Sequence, residues 1–168
     1  GTTVTLGHGK MSLNGEALKV TDTPGTNGFT PQSEDEKVTR DLLLSGEYRT
    51  VLQVADAKNL RRSLYITMQL AEMEVPFVLA LNMADEAHTR GISININKLE
   101  ELFGIPVVTT TATQRKGLPL VKKSLSEARK SRYGFRYSDD IEKGISQIES
   151  LLPDCAISKR SLALMILS

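Results

Sequence analysis

The uninterrupted apolar run Val75-Pro76-Phe77-Val78-Leu79-Ala80-Leu81 constrains this chain more than any other stretch. It is strand-sized and has no polar side chain for a wet face. Such a strand needs cover on both sides, which a parallel sheet between helices provides. The flanking sequence supplies the helices. An apolar strand at 50–55 runs to Asp56, and Asn59 then caps a helix with Leu60, Leu64, Met68 and Ala71 at helical spacing. Asn95 or Asn97 caps a short helix with Ile96, Leu99, Leu102 and Phe103 on its apolar side, closed by Gly104. A strand at 105–109 leads to a helix opened by Gly117, with Val121, Leu125 and Ala128 on one face. Strands alternating with helices predict an α/β fold with a mainly parallel sheet and flanking helices. Ligands of such sheets bind outside the carboxyl ends of the strands.

The ends of the chain differ from this middle. Alternating apolar residues at Val4, Leu6, Met11 and Leu13, the Asn14-Gly15 turn and a second strand at 17–22 predict a hairpin. A polar loop at 26–32, containing Gly28 and Pro31, is expected to be mobile. Ser33-x-x-Glu36 is a capping box for a helix running to about Ser45, with Val38 and Leu42 inward and Gly46 as its stop. Composition shifts at 132–137, which is rich in aromatic and basic residues. Ser138 then caps a helix with Ile141, Ile145, Ile148 and Leu152 as its stripe, Pro153 ends it, and another helix starts near Ser158. The expected division is an α/β domain at 1–132 and, at 133–168, a linker with part of an all-α helical domain.

Composition excludes some classes. A net charge of +1 gives no general attraction to nucleic acid or to an acidic membrane surface. A single cysteine, Cys155, allows no internal disulfide and is expected to pack between helices. No apolar run approaches the roughly 20 residues of a membrane helix. His8 in the hairpin, His88 in the loop after Asp85, and Arg61 and Arg62 are expected at the surface.

Four polar motifs fall at strand ends. Asp22-Thr23-Pro24-Gly25 follows the second hairpin strand. An Asp there reaches Mg²⁺ through water, and the Gly N–H meets a γ-phosphate. Asn82-x-x-Asp85 follows the buried strand. Its carboxylate can accept from guanine N1–H and the 2-amino group, a donor pair adenine lacks, while Asn82 holds the base edge. Thr110-Thr111-Ala112 follows the next strand and can offer a backbone N–H to guanine O6. Thr3 can place its hydroxyl on Mg²⁺ and the γ-phosphate. Singly each motif is weak, and D-x-x-G or N-x-x-D alone reads as a turn. In this order and spacing they form the motif set of a P-loop GTPase. One part of that set, G-x-x-x-x-G-K-[S/T], does not occur in the sequence. It is expected upstream of Thr3, on a first strand central to the sheet, so the chain is expected to be a piece of a longer protein that binds nucleotide poorly alone.

The run Asp22 to Glu36, D-T-P-G-T-N-G-F-T-P-Q-S-E-D-E, resembles D-L-P-G-T-Y-S-L-T-P-Y-S-E-D-E of the bacterial ferrous iron transporter B (FeoB) family. Leu79 to Glu86, L-A-L-N-M-A-D-E, resembles that family's L-A-L-N-M-M-D-E. Asp56-Ala-Lys-Asn-Leu60, Leu64-Tyr65, Gln69-Leu70 and Gly1-Thr-Thr-Val4 also match, so the likeness covers nearly the whole chain. It implies a GTPase domain on the cytoplasmic face of the bacterial inner membrane, serving Fe²⁺ uptake by its own membrane-embedded transporter domain, with GTP/GDP and Mg²⁺ as ligands. From Ser138 onward the chain resembles the start of the family's helical domain, which favours GDP retention. The implied nucleotide-binding residues are Thr3, Asp22, Gly25, Asn82, Met83, Asp85, Thr110, Thr111 and Ala112. Thr3 and Asp22 serve Mg²⁺, and the switch loops contain Thr2, Thr3, Thr26, Asn27 and Gly28. A homo-oligomer is compatible with the family and nucleic acid is not an expected partner. K⁺ stimulation, known in the family, needs an Asn in the phosphate loop that this sequence does not contain.

Met83 stands where most GTPases have Lys, as it does in this family, and Thr5 where the family often has Glu. Thr26 replaces the Gln that orients water in Ras-like enzymes, so intrinsic hydrolysis is expected at about 10⁻³ s⁻¹ or below, the range of unassisted Ras. Two rivals remain at this point. A ribosome-assembly GTPase needs a basic face, which the net charge disfavours. A nucleotide-free pseudo-GTPase would act as a binding module.

Overall fold

The computed structural model describes residues 6–29 and 33–167. Thr2, Thr3 and the loop end at 30–32 lie outside the described residues.

Asn14 and Gly15 have φ of 52° and 84°, the pair of left-handed residues that a tight hairpin turn requires. The turn joins β1 (Gly7–Leu13) to β2 (Glu16–Asp22) in antiparallel register from Gly7↔Asp22 to Leu13↔Glu16. A second sheet is parallel, in the order β3 (Val51–Asp56), β4 (Phe77–Asn82), β5 (Val107–Thr109).

The apolar run occupies the middle of that sheet. Phe77, Leu79 and Leu81 face the main core, built with Leu70, Met73, Val75, Phe103 and Ile105. Val78 and Ala80 face a smaller cluster with Val108 and Val121. The second face is covered only in part. Its cover is α5 (Leu118–Ser126), which packs against β4 and β5. On β3 the same face leaves Leu52 38% and Val54 63% exposed. The two sheets are tied at their starts by Arg49 and Glu16, 2.6 Å apart.

On the main-core side lies α2 (Leu60–Glu72). Its register is fixed by two buried polar side chains, Gln53 and Thr67. Gln53 Nε2 donates to Ser63 O at 2.9 Å, and Thr67 Oγ1 donates to Gln53 Oε1 at 2.9 Å. Helix α1 (Glu34–Ser45) is capped by Ser33, which accepts from Glu36 N at 3.3 Å. Its inward residues are Glu36, Thr39 and Leu43, while Val38 and Leu42 are half-buried, because the polar pair serves the preceding loop.

Where a loop was expected after β4, residues Ala84–Thr89 form α3, so His88 is helical. Asp85 and Glu86 in the first turn suit a helix N-terminus, but one and a half turns are too short to show periodicity. Asn95, not Asn97, caps α4 (Ile96–Phe103) by accepting from Lys98 N at 2.9 Å. Leu99 and Phe103 are buried there, whereas Leu102 is 49% exposed on the flank.

Helices α6 (Asp139–Glu149) and α7 (Lys159–Leu167) pack against each other and reach the main core through Ile157, Leu162 and Met165. Cys155 is exposed, contrary to expectation, and Ile157 takes the buried place instead. Arg160 on α7 joins the elements, with Nε 3.1 Å from Glu72 and Nη1 2.8 Å from Glu142. The Arg160 hydrogen bonds, reinforced by the Tyr137 N–H, hold the Glu142 carboxyl down to about 2.

Candidate functional site

The ends of β4 and β5 converge because a parallel pair delivers both carboxyl ends to one edge. Thr110 N donates to Leu81 O at 2.8 Å, and Ala84 N donates to Thr110 O at 3.1 Å, which sews the two loops together. Between these bonds Met83 sits at φ 61°. An unbranched non-glycine residue in the left-handed region is uncommon and costs roughly 1–2 kcal/mol. The turn it makes aims Asn82 toward β5 and starts α3 with Asp85 in its first turn.

Asn82 Oδ1 accepts from Thr110 Oγ1 and from Ala112 N, each at 3.0 Å. Thr110 and Thr111 are buried, so this support lies beneath the surface, while Ala112 and Asp85 are exposed above it. Asp85 Oδ2 accepts from Gln114 Nε2 at 3.1 Å. Gly117 sets the base of this loop. It has φ 82°, and a Cβ there would lie 2.3 Å from Thr109 O. The end of β3 contributes as well, since Lys58 Nζ reaches Glu86 on α3 at 2.6 Å.

The Asp22-to-Gly28 segment hangs on a different scaffold. Asp22 is exposed at the end of β2, and Gly25 is exposed. Thr39 on α1 donates to Pro24 O at 3.1 Å, and Glu36 Oε1 accepts from Asn27 N at 3.0 Å. From α2, Gln69 Oε1 accepts from Phe29 N at 3.1 Å, and Arg62 reaches Asn27 Oδ1. Thr26 Oγ1 accepts from Gly28 N at 3.1 Å. A Cβ on Gly28 would meet the Tyr65 ring at 3.1 Å and the Gln69 carboxamide at 3.2 Å, so the loop lies closely against these two α2 side chains. The loop expected to be mobile is tied at 26–29 to two helices, and Arg62, expected to be merely solvated, is one of the ties.

Among the predicted site residues the structure brings Asn82, Met83, Asp85, Thr110, Thr111 and Ala112 to one edge. It carries Asp22, Gly25, Thr26, Asn27 and Gly28 on the hairpin and its following loop, and Thr2 and Thr3 lie outside the described residues. Sequence reasoning missed Gln114, Arg62 and Gln69. Glu36 was visible only as a capping-box partner, and nothing in its spacing marks it as a partner for Asn27.

Comparison with known proteins follows the same lines. The family model described as ferrous iron transport protein B matches residues 1–125. The Fe(2+) transporter FeoB of Legionella pneumophila strain Paris is 38% identical over 129 residues, 74% of this chain and 17% of that protein. The chain therefore spans about a sixth of that relative's length. The cytosolic domain of T. maritima FeoB in its GMPPNP form superposes with a TM-score of 0.87 at 33% identity, over 98% of this chain and 67% of that one. A single-residue variant of S. thermophilus NFeoB bound to GDP·AlF4⁻ superposes at 0.82 with 37% identity, over 99% of this chain and 66% of that one.

Proposed function

The chain belongs to the ferrous iron transport protein B family, and on that premise we propose that it binds GTP and GDP and hydrolyses GTP slowly to control Fe²⁺ uptake by the transporter that contains it. The observation that carries the reading is the joining of Asn82 to Thr110 and Ala112 across 28 and 30 residues, with Asp85 beside them. A carboxylate on that edge accepts from guanine N1–H and the 2-amino group, and it meets no such donor pair on adenine. Asn82, fixed through its Oδ1, keeps its NH₂ for the base edge. The same Oδ1 holds the loop at 110–112 in place, and the N–H groups of Thr110, Thr111 and Ala112 are themselves taken by Leu81 O, Lys116 O and Asn82 Oδ1. The named ligands of the relatives, GMPPNP and GDP·AlF4⁻, are guanine nucleotides and agree with this assignment.

Asp22 and Gly25 serve the phosphate end. Asp22 and Thr3 are hard oxygen donors of the kind Mg²⁺ takes, and Mg²⁺ bound there would neutralise charge on the phosphates. Thr26 supplies no carboxamide to orient water, which keeps hydrolysis slow. The uncovered Leu52 and Val54 on β3, with Val20 40% exposed on β2, offer an apolar seat for the strand and helix that would bring the phosphate loop. In the whole protein, residues 1–132 act as the GTPase unit on the cytoplasmic face of the inner membrane. Residues 133–168 begin a helical unit docked on α2, and the loop at 26–29 reports the nucleotide to the membrane part.

The test is Asp85→Asn in the full-length protein, read by displacement of a fluorescent GDP analogue. Wild type should prefer GDP over both XDP and ATP. The variant should prefer XDP, because an asparagine amide donates to the xanthine C2 carbonyl. An unchanged preference would remove Asp85 from base recognition.

A further inference from the structure

Asp85 is engaged by a group that imitates a nucleobase. Guanine presents planar N–H donors to a carboxylate, and the Gln114 carboxamide presents a planar N–H donor to the same carboxylate, 3.1 Å from Oδ2. We propose that Gln114 competes with guanine for Asp85, so that this side chain sets the rate and tightness with which the site takes its base. The inference rests on the base-site reading given above.

The loop that presents Gln114 is built rather than loose. Thr111 and Lys116 exchange two backbone hydrogen bonds, Thr111 N to Lys116 O at 3.1 Å and Lys116 N to Thr111 O at 3.2 Å. Inside that closure Gln114 N donates to Thr111 O at 3.0 Å, and Arg115 at φ 55° reverses the chain. Below it, Gly117 lies where the stem leaves no room for a side chain against Thr109 O. The side chain therefore starts from a fixed point, on the same β5 loop as Thr110 and Ala112, and it reaches back across to α3.

Guanine bonded through N1–H and the 2-amino group uses both carboxylate oxygens, so Oδ2 cannot serve base and glutamine in the same direction at once. Gln114 and Asp85 are both exposed. The bond that must be exchanged is thus a solvent-screened one, and its effect is a modest handicap rather than a block. Gln114 differs in this from Asn82, whose acceptor is held by neighbours that the base does not displace. Since the competing bond exists only before the base arrives, its loss acts on association and leaves dissociation alone.

The experiment is stopped-flow binding of a fluorescent GDP analogue, with Mg²⁺, to the full-length protein as wild type, Gln114→Ala and Asp85→Asn. Gln114→Ala should bind roughly three- to tenfold tighter, the range for removing one exposed competing hydrogen bond, through a faster on-rate at unchanged off-rate. Equal or weaker binding by Gln114→Ala overturns the proposal, weaker binding because it would make Gln114 a support for Asp85. Asp85→Asn separates the two levels. If it fails to move preference from GDP to XDP, the base-site reading falls. If it does move preference while Gln114→Ala gains nothing, only the competition falls.

Discussion

Replacing Gly117 with alanine tests whether the β5 loop is held by close packing. Gly117 has φ 82°, and an alanine there meets the left-handed penalty of roughly 1–2 kcal/mol. Its Cβ would also stand 2.3 Å from Thr109 O and 3.0 Å from Thr110 Cγ2. The first contact is with backbone of β5, which cannot rotate away, so overpacking adds roughly 1–3 kcal/mol. Gly91→Ala is the matched control, since Gly91 has φ 71° and a Cβ there would meet nothing within 4 Å. It should carry the conformational penalty alone. For a chain of this size each kcal/mol moves Tm by roughly 2–4 °C, so Gly91→Ala should fall by about 5 °C and Gly117→Ala by about 10 °C. Thermal unfolding followed by circular dichroism reads both. The shift at 117 should also part Thr110 from Asn82 and weaken guanine binding, which Gly91→Ala leaves intact. Equal losses of Tm in the two variants would refute the packing argument.

Two further outcomes follow from the helix contacts. Arg160→Ala should destabilise by roughly 1–3 kcal/mol in urea unfolding, because it leaves the nearly buried Glu72 without its cation. The Arg160–Glu142 pair predicts an acid response. Glu142 is lowered from 4.5 to about 2, so its contribution is whole above about pH 4.5 and is lost as pH falls toward 2. Unfolding midpoints of wild type and Glu142→Gln should therefore converge as the solution is acidified, and parallel curves would remove the pair from the pH dependence. Gln69→Ala deprives Phe29 N of its acceptor and should speed amide exchange there roughly five- to tenfold without changing the β1–β2 amides, as expected of a local opening. An unchanged rate at Phe29 would mean that α2 does not hold the loop.

Much of the framework was legible because it is local. The apolar run at 75–81 could only be a strand covered on both faces, and Asn14-Gly15 carries its turn in its own backbone preferences. Asn82 and Thr110 were legible as neighbours on one edge, though not as hydrogen-bond partners, because each follows a strand of one parallel sheet. Other features depend on partners distant in sequence. The inward face of α1 is Glu36 and Thr39 instead of Val38 and Leu42, since the loop at 24–27 needs an acceptor and a donor there. Helix α3 is too short for periodicity. Gln114 with Asp85, and Arg62 with Asn27, are pairs 29 and 35 residues apart that no spacing rule encodes. Leu102 and Ile141 follow their helical stripes correctly yet remain exposed, because a stripe wider than its neighbour leaves its margin in water.

The glutamine inside β3 gives α2 a mechanical character. Gln53 grips the helix at two points one turn apart, Ser63 O and Thr67 Oγ1, and all three residues are buried. Rolling α2 about its axis would break both bonds in a place water cannot reach, at roughly 1–3 kcal/mol for each group left unpaired. Twisting is thus the stiff coordinate of this helix. A push at its Arg62 end is transmitted along the rod, together with β3, to Glu72 and the Arg160 joint at its far end. The helix works as a strut whose two ends move together.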